Sequence, residues 1–530
     1  MKKQSKTPLF STIRKAFQMA LAAERRKTSG EELVQRADEF RRSRRRFLEN
    51  VGKTALLGGF VPKLLLPQGG NFLNRALAPR IAIIGGGIAG LHALHILKKG
   101  GLDATIYESS NRTGGRIFTV KEAMGPNTWT EFGGEFIDTN HKDMWDLARE
   151  FDLELMDIGQ PSETQLTKEA FFFDGQHHTM AQVVEEFRHF APRMQADKDK
   201  LNEDISYKTQ NKKIKKLDHI SLSKYLEQIG ASGWMKRLIE VAYESEYGLS
   251  THSQSSLNLL LLMSAETPND QWETFGESDE RYKVRNGNQS IPNALAGRYT
   301  QHLEMGRALE SIRSKGDAYE LHFSGMSAPV TADYVIVTIP YTVLRNLDIQ
   351  LEMPEVKRQC IQKLGYGTNA KLMLGMNQHV WRQRGYTGLT YSDNGIPNGW
   401  DNAQLQTADN QTAGLSILFG GKSGLNVGQG TPEEQKDKYL KLWDQIFPGA
   451  TAAFNGKTAR MHWPTYPHTL ASYVCPTLGQ YTSIIGAEQM PVGNVFFAGE
   501  HCGGAFAGFM NGAAQSGREA AEAILIKVKK

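Results

Sequence analysis

Three glycines, Gly85, Gly87 and Gly90, stand where an apolar run at 81–84 meets the helix-compatible stretch 91–99, and that placement suits a bound pyrophosphate. Gly85 permits the tight turn, Gly87 lets phosphates approach the backbone, and Gly90 lets the helix pack on the strand, its N-terminus facing the negative charge. Glu108 ends the next apolar run about twenty residues on, where a carboxylate accepts hydrogen bonds from a ribose. A glycine-rich turn in any strand–helix–strand unit is the competing explanation, and Glu108 makes it the weaker one. Arg116 follows Gly114-Gly115, so a guanidinium comes close to a backbone turn and can neutralise a pyrophosphate bidentately. Gly133-Gly134, flanked by Phe132 and Phe136, indicates a strand and turn. Lys371 lies in a mostly apolar run, and on residue type alone it belongs on the exposed face of an alternating strand, because an unpaired buried ammonium costs too much. A last apolar run, 495–498, ends in Gly499-Glu500 and leads into the glycine-rich turn 508–517, a second place where a phosphate or ring can approach the backbone.

Positioning these groups takes more than one core, since 530 residues exceed what a single compact domain buries. A hydrophobic content of 40% with 22% charged residues is that of a globular protein. The net charge of +5 resides in residues 1–50, whose fourteen Lys/Arg against six Asp/Glu leave −3 for the rest of the chain. Nucleic-acid binding is therefore not indicated, and no basic stripe interleaved with aromatics runs through the body. Cys360, Cys475 and Cys502 are too few and too scattered for a disulfide framework, and no Cys or His spacing suggests a metal.

The basic leader has apolar residues at helical spacing (Phe10, Ile13, Phe17, Leu21), then Ser43-Arg44-Arg45-Arg46-Phe47-Leu48 and a weakly hydrophobic region at 51–66. Twin arginines before such a region resemble a twin-arginine export signal, with Ala76-Leu77-Ala78 suited to a signal peptidase. The alternative is a basic amphipathic arm that packs on the body and is never removed. Helical periodicity dominates from Asp143 to about Ala265, as expected for an insertion able to cover a flat cofactor. Residues 305–323 and 330–339 return to β character, 365–374 begins a second strand-rich stretch, and 381–461 is polar, glycine-rich and uninformative.

Taken in order, the motifs at 85–90 with Glu108, 114–116, 133–134, Lys371 and 497–512 resemble the flavin-dependent amine oxidase family, which includes monoamine, polyamine and L-amino-acid oxidases. The likeness runs from about Arg80 to the C-terminus. It implies an α/β fold in which a Rossmann-type FAD-binding domain (80–140, 283–345, 465–530) interleaves with an α+β substrate-binding domain (141–282, 346–464), preceded by the helical leader 1–79. FAD contacts would come from Gly85, Gly87, Ala89, Gly90, Glu108, Ser109, Gly115, Arg116, Gly133, Gly134, Glu135, the backbone near Leu309, Gly499, Glu500, Phe509, Met510 and Ala513. Within that set the resemblance gives Glu108 the adenosine ribose, Arg116 the pyrophosphate and Glu500 the ribityl or phosphate portion. Lys371 matches the lysine that holds a water near flavin N5, and Tyr473 and Phe509 match the two rings that flank the substrate amine. Ser472 stands where some members have a flavin-bonding cysteine, so the FAD is expected to be non-covalent.

The implied reaction oxidises an amine to an imine, with dioxygen reduced to hydrogen peroxide. Members acting on amino acids commonly place an Arg just after the third motif to grip the carboxylate. This chain has Gly133-Gly134-Glu135, which favours an amine without a carboxylate, although Arg285 is a substitute from another segment. Glu135, Glu244 and Glu246 are candidates for a distal ammonium. The alternatives are an L-amino-acid oxidase for basic side chains and a flavoprotein desaturase or isomerase on the same fold. A small amine, dioxygen, the twin-arginine export machinery and a second copy in a homodimer are the implied partners, with a periplasmic location if exported and a cytoplasmic one otherwise.

Overall fold

A computed structural model describes residues 8–37, 78–160, 162–201, 204–263, 279–406 and 412–529. The helix α1 (Pro8–Arg26) opens the chain, followed in the body by β1 (Ile81–Ile84), α2 (Ile88–Lys99) and β2 (Thr105–Glu108). Much later come β3 (Leu303–Met305), β4 (Tyr334–Val337), β5 (Val495–Phe497) and α3 (Met510–Val528). The five strands form one parallel sheet in the order β5-β4-β1-β2-β3. All four residues of β1 are buried, as befits a central parallel strand covered on both faces. A small-residue seam lets α3 lie along α2: a methyl on Gly517 would sit 2.1 Å from the Ala89 carbonyl oxygen, and His92 Nδ1 bonds the Ala514 carbonyl at 2.9 Å.

The second large sheet is mixed and seven-stranded, in the order Phe454–His462, Ala370–Met376, Ala413–Phe419, Asn398–Asp401, Tyr386–Ser392, Thr167–Phe173 and Gln176–His178. Its neighbours run antiparallel except where Tyr386–Ser392 meets Thr167–Phe173. Two parts of this sheet differ from the sequence expectation. A hairpin, 167–178, interrupts the otherwise helical insertion, and four strands, Tyr386–Ser392, Asn398–Asp401, Ala413–Phe419 and the partly exposed Phe454–His462, occupy the stretch after Trp381 that carried no pattern. The inner strands are buried on two faces: residues 170–173 are all buried, as is nearly all of Ala413–Phe419. Double-sided burial removes the apolar–polar alternation by which a strand is recognised.

The leader's helical spacing is realised as α1, which lies inside the helical core, with Ile13, Ala16, Phe17, Met19 and Ala20 wholly buried. The Phe17 ring stands 5.6 Å from that of Phe187, Thr12 donates to Glu169 at 2.7 Å, and Glu24 pairs with Arg188. Burying each of the large side chains stabilises by about 1.5–3 kcal/mol. The twin-arginine segment and the weakly hydrophobic stretch after it lie outside the described residues, as does most of Ala76-Leu77-Ala78. Among the described residues no helix is long and apolar enough to cross a membrane, and no cluster of side chains could hold a metal ion.

Candidate active site

One cavity, about 1600 Å³ including its open mouth, runs from the turn after β1 to the mixed sheet. Every residue that the resemblance assigns to FAD, to the amine or to the water near flavin N5 lines it except Gly90 and Leu309, while the distal-ammonium candidates Glu244 and Glu246 and the carboxylate candidate Arg285 lie outside. Gly90 is used for packing instead, since a methyl there would sit 2.0 Å from the Gly85 carbonyl oxygen. The Leu309 side chain is buried in the core with Tyr107 and Leu321, so only its backbone is left for the contact the resemblance implies. The residues of its segment that reach the cavity's edge do so through their backbone, Arg307 N–H donating to Glu108 O at 2.7 Å and Gly306 N–H to Ser110 O at 3.1 Å.

The dinucleotide end is built by two helix N-termini. Gly87 caps α2 and Phe509 caps α3, neither with a side-chain cap, so the first N–H groups of both helices are left for an anion. A methyl on Gly87 would meet only Gly115 Cα, 3.9 Å away, so the turn is open ground. Glu108 is held at the rim, accepting from Gly86 N–H at 2.6 Å and Ser110 N–H at 2.8 Å. Ser109 bonds His468 at 2.8 Å, adding a ligand wall that no motif announced. These donors, an acidic ribose acceptor and two positive helix ends fit an anionic dinucleotide such as FAD.

Arg116 and Glu500 meet each other here. Arg116 Nη1 donates to Glu500 Oε1 at 2.9 Å and to the Ser472 carbonyl, while Glu500 Oε2 accepts from Val474 N–H at 3.3 Å. The pair crosses the cavity wall from the second glycine motif to the last one. Arg112 also lines the cavity, its guanidinium donating to the carbonyls of Thr113, Ile117 and Gly115 and lying 4.2 Å from the Phe118 ring centroid. Ser472 donates to Asn369 Oδ1 at 2.6 Å, and none of the three cysteines, all buried, lines the cavity.

Lys371 overturns the exposed-strand reading of its run. All seven residues of Ala370–Met376 are buried, and the ammonium reaches the cavity wall with three acceptors: Glu131 O at 3.0 Å, Gly133 O at 2.9 Å and Glu135 Oε2 at 2.9 Å. An ammonium has three protons to give, so the protein engages each of them. Glu135 is shared by a second buried lysine, Lys283, at 2.6 Å and by the Trp400 indole N–H at 2.9 Å. Burial alone would raise the Glu135 carboxyl, yet the charges of Lys283 and Lys371 hold it down at about 2. Burial wins at neighbouring Glu131, which is pushed up to about 7 although Asn288 N–H and the Thr119 hydroxyl donate to it.

Tyr473 and Phe509 stand on the same cavity. Tyr473 Oη donates to the Ser245 carbonyl at 2.7 Å, and the Phe509 ring meets buried His141 edge to face at 4.9 Å. Two polar residues missed in the sequence, Glu280 and Asn398, share this end. Lys283 is the middle residue of a three-residue strand, Tyr282–Val284, too short to show a period, Glu280 stands two residues before it, and Asn398 and Trp400 fall in the stretch that carried no pattern.

The fold and cradle define a flavin-binding α/β oxidoreductase. A family model described as flavin containing amine oxidoreductase matches residues 88–525, and the chain belongs to that family. Its cofactor is accordingly FAD, and it is an enzyme of the class that acts on CH–NH₂ groups. Curated relatives include a flavin-containing amine oxidase of Oncorhynchus mykiss, 20% identical over 457 residues covering 84% of this chain and 86% of the relative. An L-amino acid dehydrogenase of Synechocystis is 22% identical, covering 84% and 94%. Among solved structures, cyclohexylamine oxidase from Brevibacterium oxydans superposes with a TM-score of 0.74 at 19% identity, covering 86% of this chain and all of that one. Putrescine oxidase bound to putrescine gives 0.72 at 17% identity, covering 84% and 99%.

Proposed function

We propose that the protein oxidises a primary amine or polyamine with non-covalently held FAD, passing the electrons to dioxygen. The observation that carries this reading is the single cavity that joins the dinucleotide cradle to the aromatic pair Tyr473 and Phe509 and to Lys371. In balance, R–CH₂–NH₂, O₂ and H₂O give R–CHO, NH₃ and H₂O₂. Bound FAD supplies the acceptor for the hydride equivalent leaving the carbon next to nitrogen.

The chain's own groups prepare the amine. A free alkylammonium titrates near the lysine value of about 10.4, and only its neutral form has the lone pair that stabilises the developing imine. Phe509 and Tyr473 offer apolar ring surface that disfavours the charged form by desolvation. The helix α3 begins at Phe509, so its positive end faces the same space and favours negative charge developing there. Lys371 adds a fixed positive charge on the wall. Both arginines lining the cavity are engaged by protein acceptors, and Arg285, the sequence candidate for a carboxylate grip, pairs with Glu154 on the surface at 2.6 Å. That distribution supports an amine over an amino acid.

Relatives named for putrescine and cyclohexylamine oxidation support the amine reading, and the L-amino acid dehydrogenase keeps the amino-acid alternative worth testing. A peroxide assay of the FAD-loaded protein across monoamines, diamines and amino acids separates the two. Peroxide released with amines is the expected result, and turnover of amino acids alone would sink the proposal.

A further inference from the structure

Glu280 and Asn398 line the cavity with no hydrogen-bond partner for their side chains among the described residues. Both carboxylate oxygens of Glu280 and both amide atoms of Asn398 are buried without a hydrogen-bond partner. The residues are 5% and 0% exposed, and both line the cavity beside Phe136, Trp400 and Tyr473. Buried polar groups are almost always paired, because an unmade bond forfeits solvation with no return. Two such groups lining one cavity point to a partner that arrives with the substrate.

We propose that Glu280 and Asn398 form a recognition site for a second cationic nitrogen, so that the substrate is a diamine or an amine carrying a distal ammonium. The proposal rests on the amine-oxidase reading and names the substrate class of that site. A distal ammonium donates to the carboxylate of Glu280 and the amide oxygen of Asn398.

The distal-ammonium candidates from the sequence do not offer this. Glu135 already accepts from Lys283, Lys371 and Trp400, and Glu244 and Glu246 do not line the cavity. Charges around Glu280 favour a cation: Asp138, Glu246 and Asp279 act on it as like charges and Lys168 as an opposite one, and the phenols of Tyr391 and Tyr473 also face it. Asp138 Oδ1 accepts from the Glu280 backbone N–H at 2.8 Å, which fixes the strand end that carries the carboxylate. A diamine would then meet opposite environments at its two ends. Aromatic rings at Tyr473 and Phe509 favour the neutral nitrogen that reacts, and the acidic end keeps the other nitrogen charged.

The test compares diaminopentane, aminated at both ends, with pentylamine on FAD-loaded wild type, Glu280→Gln and Asn398→Leu. Two readouts are taken: kcat/KM by peroxide release, and anaerobic binding followed by the perturbation of the flavin spectrum. A wild-type preference for the diamine that falls about tenfold to a hundredfold in either variant, the range for a hydrogen bond to a charged group, supports the site. Amine turnover with a diamine-to-monoamine ratio unchanged in both variants overturns the site and leaves the oxidase reading standing. If no amine is turned over, the oxidase reading fails. In that case, diamine binding that is weaker in the variants still supports the site, and equal binding overturns it as well.

Discussion

Two glutamates on the walls of one cavity, Glu135 and Glu280, are equally buried and treated oppositely. Glu135 is clamped by two lysines and an indole and held down at about 2, while Glu280 has no partner and is pushed up by burial and by the charges of Asp138 and Glu246. Burial is common to both, so the difference lies in what the fold brings to each. At Glu135 it supplies positive charge from two strands, Lys371 from Ala370–Met376 and Lys283 from Tyr282–Val284. At Glu280 it supplies no ion pair among the described residues, only the field of Lys168, and leaves the carboxyl on the cavity. One glutamate belongs to the framework that holds Lys371, and the other faces what enters.

Breaking the clamped side should have the largest effect. Glu135→Gln leaves two buried ammonium groups without their counter-charge and is expected to cost about 3–5 kcal/mol of stability, read by urea unfolding of the FAD-loaded protein. A cost near zero would show that the clamp is not structural. Lys371→Met keeps the aliphatic stem and removes the charge facing the cavity. It should leave FAD bound while slowing reduction or reoxidation on the order of 10²–10³-fold, the scale for losing one preorganised electrostatic group. Wild-type rates in both half-reactions would refute the role.

Arg116→Ala and Glu500→Ala each strand the other partner of a half-buried pair on the cradle. Either should weaken FAD retention by roughly tenfold to a hundredfold, about 1.4–2.8 kcal/mol, measured by equilibrium dialysis; a fully yellow purified variant would count against the assignment. The smallest effect is a pH dependence that sharpens the contrast. Because the Glu135 carboxyl is depressed in the fold, its stabilisation is present above the ordinary value of 4.5 and is lost as pH falls from there toward 2. Glu280 is raised, so its cost to stability is absent below 4.5 and grows as pH rises toward its folded value. The stability of Glu280→Gln relative to wild type should therefore increase with pH above 4.5, and a pH-independent difference would break the comparison.

The contrast also explains which parts were legible in the sequence. Gly85, Gly87, Glu108 and Glu500 line the cavity at turns whose residue types are dictated locally, so spacing marked the first three, and the resemblance gave Glu500 its expected role. Asn398, Lys283 and Trp400 lie on short strands whose partners are distant in the chain, Glu280 stands just before one of them, and nothing within reach of a local pattern marks them. Lys371 was misplaced on residue type because its acceptors are two carbonyls and a carboxylate from residues 131–135. The helix α1 shows the same limit. Its spacing announced an amphipathic helix, but only the fold shows that Phe17 and Ile13 complete the substrate-side core.

Anaerobic mixing of the FAD-loaded protein with amines is the most direct test that one cavity serves both cofactor and amine. The account predicts that an amine bleaches the flavin spectrum, and that air restores the spectrum with release of hydrogen peroxide. A flavin left oxidised by every monoamine and diamine offered would contradict it.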